Sequence, residues 1–221
     1  MYKIYQRKRL LLWLGILILI GGSVFGMVKL ASKSTTSQTA LLAEAVSASD
    51  WIKGGNGSKV VLVEYSDFQC PACGFFYFVL KEITKDYGDK IQLVYRHFPL
   101  SYHANSSLAA QAAEAAGKQG KFWEMYDLLF ENQQTWANQS GADAEKTFIS
   151  YARSLGLDVG RFEKDLNSAE IKAKIEKDYQ SGVKSGVDAT PTFFLNGKKL
   201  PPPRSYKEFE NAIVQAINAN Q

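Results

Sequence analysis

Hydrophobic positions along the chain change period several times, and each change marks an element. Leu10 to Val28 forms a 19-residue run without a charge. As a helix it spans about 28 Å, roughly the hydrocarbon core of a bilayer. From Lys29 to about residue 49 the chain is rich in Ser, Thr and Ala, with neither heptads nor alternation. It reads as a linker, with Leu41 to Val46 able to form a short helix. Val60-Val61-Leu62-Val63 is a continuous, mostly β-branched run, the pattern of a strand buried on both faces. Cys73 to Tyr87 then reads as a helix and Ile91 to Tyr95 as a second strand, the strand–helix–strand unit of a right-handed parallel crossover.

Helical periodicity dominates the middle of the chain. Phe122, Met125, Tyr126, Leu129 and Phe130 lie at i, i+3, i+4, i+7 and i+8, one apolar stripe. Phe148, Ala152 and Leu155 make a second, with Gly156 placed as a stop, and Ala169 to Ser185 reads as a further helix. Pro191 to Leu195 reads as a strand that turns at Asn196-Gly197 and returns through Lys198 to Leu200. Ser205 and Glu208 spell a capping box ahead of Phe209, Ile213 and Ile217 on one helical face. The order β-α-β, helical block, α-β-β-α predicts an α/β fold: a mixed central sheet flanked by helices, with a helical insertion at about 103–168. No internal repeat is visible.

Charge adds one distinction. The formal net charge is +4, and Lys3, Arg7, Lys8 and Arg9 account for it, so the remaining basic and acidic residues cancel. Nothing here asks for a nucleic-acid partner. Basic residues ahead of the apolar run and Lys29 behind it predict a cytoplasmic N-terminus at 1–9, a transmembrane signal anchor at 10–28, a linker at 29–49 and an exported domain at 50–221. The expected localisation is single-pass in the cell membrane with the domain extracytoplasmic. The alternative is a cleaved signal peptide and a secreted product, with small residues near Gly22 to Gly26 as the cut site.

The only two cysteines stand together as Cys70-Pro71-Ala72-Cys73, after an apolar strand and at the mouth of a helix. Disulfide exchange needs a thiolate, and an ordinary cysteine is mostly protonated at pH 7. Exposed N–H groups and the partial positive charge of a helix N-terminus favour the ionised form. Cys70 sits at that start, Cys73 one turn inside, and Pro71 suits the first turn because its missing N–H has no partner there. Three other uses compete. A structural staple is poor because a four-residue loop gains about 2 kcal/mol from closure. A zinc site is formally spelled by Cys70, Cys73, His97 and His103, but an apolar helix and strand fill the gap between the pairs. A chance pair in an inert domain is the third.

Ser66-Asp67-Phe68-Gln69 leading into the cysteines, Arg96-His97-Phe98-Pro99-Leu100, the stretch Ala109 to Trp123 and Thr190-Pro191-Thr192-Phe193-Phe194 occur in this order. Together they resemble the DsbA-like thioredoxin-fold family, in particular its membrane-anchored extracytoplasmic members, from about Val60 to Ile217. The resemblance implies a thioredoxin fold and roles residue by residue. Cys70 is the nucleophile and Cys73 the resolving thiol. Pro191 matches the family's cis-proline, with Thr190 presenting its backbone to a substrate strand. Glu64, six residues before Cys70, matches the buried carboxylate that relays a proton to the second cysteine; the plain alternative is a glutamate on a half-exposed strand face. Asp67 is a candidate cap of the active-site helix.

Two departures stand. Pro71-Ala72 lacks the histidine of strongly oxidising DsbA, so the resemblance does not fix how far the Cys70 pKa is lowered. Ala189 replaces a frequent glycine before the Thr-Pro. The implied activity is a thiol–disulfide oxidoreductase that introduces disulfides into reduced exported proteins. The Cys70–Cys73 disulfide is its redox group, with no bound cofactor, no metal, a DsbB-type quinone-coupled membrane protein as reoxidant, and a monomeric state. The rivals are a reductase or isomerase using the same dithiol, and a non-catalytic chaperone or zinc-binding module. Of the aromatics around the motif (Phe68, Phe75, Phe76, Tyr77, Phe78, Phe98), some are expected to line a peptide surface and at least half to pack inward.

Overall fold

The computed structural model describes residues 40–220 apart from residue 56. The predicted N-terminus 1–9, the apolar run 10–28 and the first part of the linker lie outside the described residues. Five strands, β1 (Trp51–Gly54), β2 (Val61–Ser66), β3 (Gln92–His97), β4 (Thr192–Leu195) and β5 (Lys198–Lys199), form one mixed sheet in the order β1-β3-β2-β4-β5. β2 runs parallel to β3, with Val61 opposite Gln92 and Ser66 opposite His97, and antiparallel to β4, with Tyr65 opposite Thr192. Paired on both sides and covered on both faces, β2 has no wet side, which is why its sequence lacks alternation. β1 is the strand the periodicity misses. Four residues with a glycine at the end carry no pattern, and pairing with β3 is what makes them extended.

The parallel step from β2 to β3 requires a crossover, and α1 (Pro71–Tyr87) supplies it. Leu80 and Ile83 of this helix lie over Leu62, Leu93 and Phe193, beside Phe209 and Ile213 of the C-terminal helix α8 (Tyr206–Asn218). Ser205 caps α8 by accepting from the Glu208 N–H at 3.1 Å, and the Glu208 carboxylate returns to the Arg204 N–H. Between β3 and β4 come α2 (Ser106–Gly117), α3 (Phe122–Glu131), α4 (Gln133–Trp136), α5 (Gly141–Ser154), α6 (Val159–Leu166) and α7 (Ala169–Lys184). The stripe predicted for α3 is buried throughout, and Gly156 (φ +72°) ends the turn after α5. This is the thioredoxin fold with a helical insertion. The hairpin turn falls at Asn196 and Gly197, both at positive φ.

Two expectations are corrected. Among the described residues no helix is long and apolar enough to cross a membrane, so the single-pass cell-membrane localisation is not upheld. The longest described helices carry charge on their outer faces, Lys81, Glu82 and Lys85 in α1 and Lys172, Glu176 and Lys177 in α7. The linker also ends earlier than residue 49. Leu42 N–H donates to Gly197 O at 2.8 Å, and Lys199 N–H donates to Ala40 O. Leu42 and Val46 pack against the sheet face built from Val63, Tyr65, Val94 and Phe194. Buried Arg96 completes the attachment, binding both Asp50 oxygens at 2.8 and 3.1 Å and the carbonyls of Glu44 and Ala45. Residues 40–50 are therefore a strap on the domain, and no helix forms at Leu41 to Val46.

Candidate active site

Cys70 is the N-cap of α1, with Pro71 at the first helical position. No side chain caps this helix, so its leading N–H groups are free to face the sulfur. Both cysteines are free thiols. Cys70 keeps 8% exposure while Cys73 has none, so an incoming sulfur can reach only the first. The Cys73 thiol, hydrogen-bonding the Cys70 sulfur, does most to favour the Cys70 thiolate. Thr190 and then the N–H groups of Cys73 and Ala72 add to it, and against the opposing effect of burial they hold Cys70 at about 5. Burial and the neighbouring Cys70 charge push Cys73 well above its ordinary value. The two sulfurs are thus set apart, one ionised at neutral pH and one protonated.

The Thr190–Pro191 peptide bond is cis, and the Cys70 thiol donates to the Thr190 carbonyl at 3.4 Å. Glu64 is fully buried on the central strand, and neither of its oxygens has a hydrogen-bond partner. Burial pushes its carboxyl up to about 8. Its charge is close enough to raise the Cys73 pKa further. Across the sheet Glu64 pairs with Tyr95 and Phe193. The half-exposed alternative for Glu64 is excluded.

Asp67 does something other than cap α1. Its Oδ1 accepts from Gln69 N at 2.8 Å and from the Ser106 hydroxyl at 2.5 Å. Its Oδ2 accepts from Leu100 N at 2.9 Å and lies 2.7 Å from His103 Nδ1. One buried carboxylate therefore ties the loop before Cys70 to the segment after β3 and to α2. His97, the last residue of β3, pairs instead with Glu114 at 2.8 Å. With its histidines so engaged, the formal Cys-Cys-His-His pattern does not close on one point. Among the described residues the cluster with metal-ligating geometry is His97, Glu114 and Asp178, into which Lys174 places its ammonium 2.6 Å from Asp178.

Sequence reasoning missed the amides of the insertion. Gln133 Nε2 donates to the carbonyls of Phe68 (2.7 Å) and Cys70 (2.9 Å). Gln69 Nε2 donates to Ala137 O, and its Oε1 accepts from Asn105 N, both at 2.6 Å. These contacts join residues more than thirty positions apart, and an exposed-looking Gln in a polar stretch carries no local signal. The aromatics divide as expected: Tyr77 and Phe68 are buried, whereas Phe75 and Phe78 face solvent.

A family model described as Thioredoxin matches residues 47–215. The chain belongs to the thioredoxin family. Among solved structures it is similar to a thioredoxin-like oxidoreductase from Silicibacter pomeroyi DSS-3, with 26% identity and a TM-score of 0.65, covering 78% of this chain and 94% of that one. It is also similar to a variant of alpha-DsbA1 from Wolbachia pipientis, with 25% identity and a TM-score of 0.71, covering 81% and 95%. The first of these neighbours is thus an oxidoreductase of thioredoxin-like type and the second a DsbA protein. Among curated proteins, the Na(+)/H(+) antiporter NhaA of Herminiimonas arsenicoxydans is 38% identical over 151 residues, 68% of this chain and 23% of the antiporter. The chain thus spans about a quarter of the length of the curated relatives it matches, and the likeness lies within the thioredoxin-like region.

Proposed function

We propose that this chain is a thiol–disulfide oxidoreductase working in the oxidising direction, transferring the Cys70–Cys73 disulfide to reduced protein substrates. The observation that carries the reading is the pair of sulfurs held at opposite ends of the thiol range, Cys70 at about 5 and Cys73 well above its ordinary value. A stabilised thiolate favours the reduced enzyme, and therefore oxidation of the substrate. Lowering one thiol from 9.0 to about 5 favours the reduced form at pH 7 by at most about 60 mV, screened downward by the solvent that reaches Cys70.

In the forward reaction a substrate thiolate attacks the Cys70 sulfur of the disulfide, and Cys73 leaves as the thiolate. Glu64, protonated up to about 8, supplies the proton that Cys73 takes up. A second substrate thiolate then attacks the substrate sulfur of the mixed disulfide, and Cys70 leaves as a stable thiolate. The substrate loses two electrons and the enzyme gains them. The Thr190 backbone, facing Cys70, offers an acceptor to an extended substrate strand. The dithiol is itself the redox group, so the reading calls for no bound cofactor. Its return to the disulfide needs a separate oxidant, which the DsbA likeness suggests is a DsbB-type quinone-coupled oxidoreductase.

The deciding experiment is equilibration of the purified chain with glutathione, together with refolding of a reduced multi-disulfide protein. A potential above roughly −180 mV with formation of disulfides is the expected outcome. A value near about −270 mV, with insulin reduction instead, would make the chain a reductase.

A further inference from the structure

The first step of the proposed reaction breaks the Cys70–Cys73 bond and leaves a negative charge on the Cys73 sulfur. Cys73 has no exposure, so water cannot solvate that charge, and a buried thiolate is a poor leaving group. We infer that Asp67 is a positioning residue for this step: its carboxylate is anchored so that its own backbone N–H stabilises the Cys73 thiolate as it leaves. The inference rests on the oxidoreductase reading and adds to it the group that assists the departing sulfur.

The Asp67 N–H donates to Cys73 Sγ at 3.5 Å. Burial and the charges of Cys70 and Glu64 all oppose a thiolate at Cys73, and this backbone N–H favours one. Its direction is set by the peptide unit that carries it. Phe98 N–H donates to Ser66 O at 2.8 Å, and in a planar trans peptide the N–H points opposite to the C=O. The bond to the segment after β3 therefore aims the Asp67 N–H the other way, toward α1. A donor fixed before the charge develops costs no reorganisation when it does.

The carboxylate holds the other side of the same residue. Two local bonds shape the loop, from Cys70 N to Asp67 O at 3.1 Å and from Gln69 N to Asp67 Oδ1 at 2.8 Å. Three distant ones fix it to the domain: the Ser106 hydroxyl on Oδ1, and Leu100 N and His103 Nδ1 on Oδ2. Asp67 is itself buried, so water cannot replace a lost partner. A negative carboxylate beside a developing thiolate would, by charge alone, hinder the step. Anchoring and charge thus predict opposite consequences of neutralising Asp67, which makes the inference decidable.

The test is stopped-flow reaction of the reduced full-length chain with dithiobis(nitrobenzoate). Cys70 attacks the reagent and releases one coloured thiolate; Cys73 then resolves the mixed disulfide and releases the second, so one trace reads both sulfurs. Resolution is the leaving step run backwards and depends on the same thiolate. Asp67→Asn keeps Oδ1 but turns an amide NH2 against the Leu100 N–H, two donors facing each other. The Cys73 pKa should rise by about one unit. The second release should slow about threefold, because the weaker acid is also the better nucleophile. The first release should keep its rate and its midpoint near 5. Ser106→Ala, which removes one anchor and leaves the charge, should slow the second release by a smaller factor, and decides the matter alone if Asp67→Asn does not fold. A second release unchanged in both variants, or faster in Asp67→Asn, overturns the inference. So does equal slowing of both releases, the sign of general damage. A wild-type disulfide form that fails to react with glutathione would instead overturn the oxidoreductase reading beneath it.

Discussion

Replacing Cys73 with Ala asks what makes Cys70 acidic. In the structure the largest contribution to the low Cys70 pKa is the hydrogen bond from the Cys73 thiol; Thr190 comes next among the groups that lower it, and then the helix N–H groups of Cys73 and Ala72. A hydrogen bond to a charged group contributes about 1.5–3 kcal/mol, and 1.36 kcal/mol corresponds to about one pKa unit. Cys73→Ala should therefore raise the Cys70 midpoint from about 5 by about one to two units. It should remain well below the ordinary 9.0, because the backbone N–H of residue 73 survives the substitution. Ultraviolet thiolate absorbance against pH reads this directly. The wild-type dithiol should ionise in two steps, one near 5 and one beyond the ordinary thiol value, and the variant in a single intermediate step. A variant midpoint unmoved from about 5 would refute the role assigned to the Cys73 thiol. A return to 9.0 would refute the contributions of Thr190 and the helix N–H groups.

Glu64→Gln should change both stability and rate. The buried acid has its pKa raised from 4.5 to about 8, so the folded chain keeps a proton that the unfolded chain releases. Stability then falls as pH rises between those values, by about 5 kcal/mol in full. The Gln variant should show a flatter urea-midpoint profile there, and slower turnover by about 100-fold if Glu64 supplies the proton to Cys73; wild-type turnover would remove the relay. Gln133→Met removes both amide bonds to the loop and should cost about 1–3 kcal/mol. Faster hydrogen exchange across residues 68–74, with β2 and β3 unchanged, is the expected sign, and uniform destabilisation would show the effect is not local. Asp50→Asn breaks the buried pair with Arg96 and should cost about 3–5 kcal/mol. Limited proteolysis should then cut within 40–50 first, and protection equal to wild type would mean the strap is held without it.

Local pattern was enough for much of this chain. The continuous apolar run of β2, the stripe of α3, the Asn196-Gly197 hairpin and the Ser205 box are short-range signals, each set by backbone sterics and burial periodicity within a few residues. The dithiol was equally legible, because a helix N-terminus directly after a buried strand is where a thiolate is stabilised. What tertiary structure alone decided involves partners far apart in sequence. β1 is extended because β3 is beside it, and residues 40–50 are held because Arg96 lies beneath them. Asp67 serves Leu100, His103 and Ser106 rather than its own helix, and Gln133 reaches the Cys70 carbonyl across 63 positions. Even the acidity of Cys70 depends on where the Cys73 thiol points. Sequence specifies which groups can bond and which faces must hide; packing decides which of those groups meet, since a buried polar atom must take whatever partner the fold brings within reach.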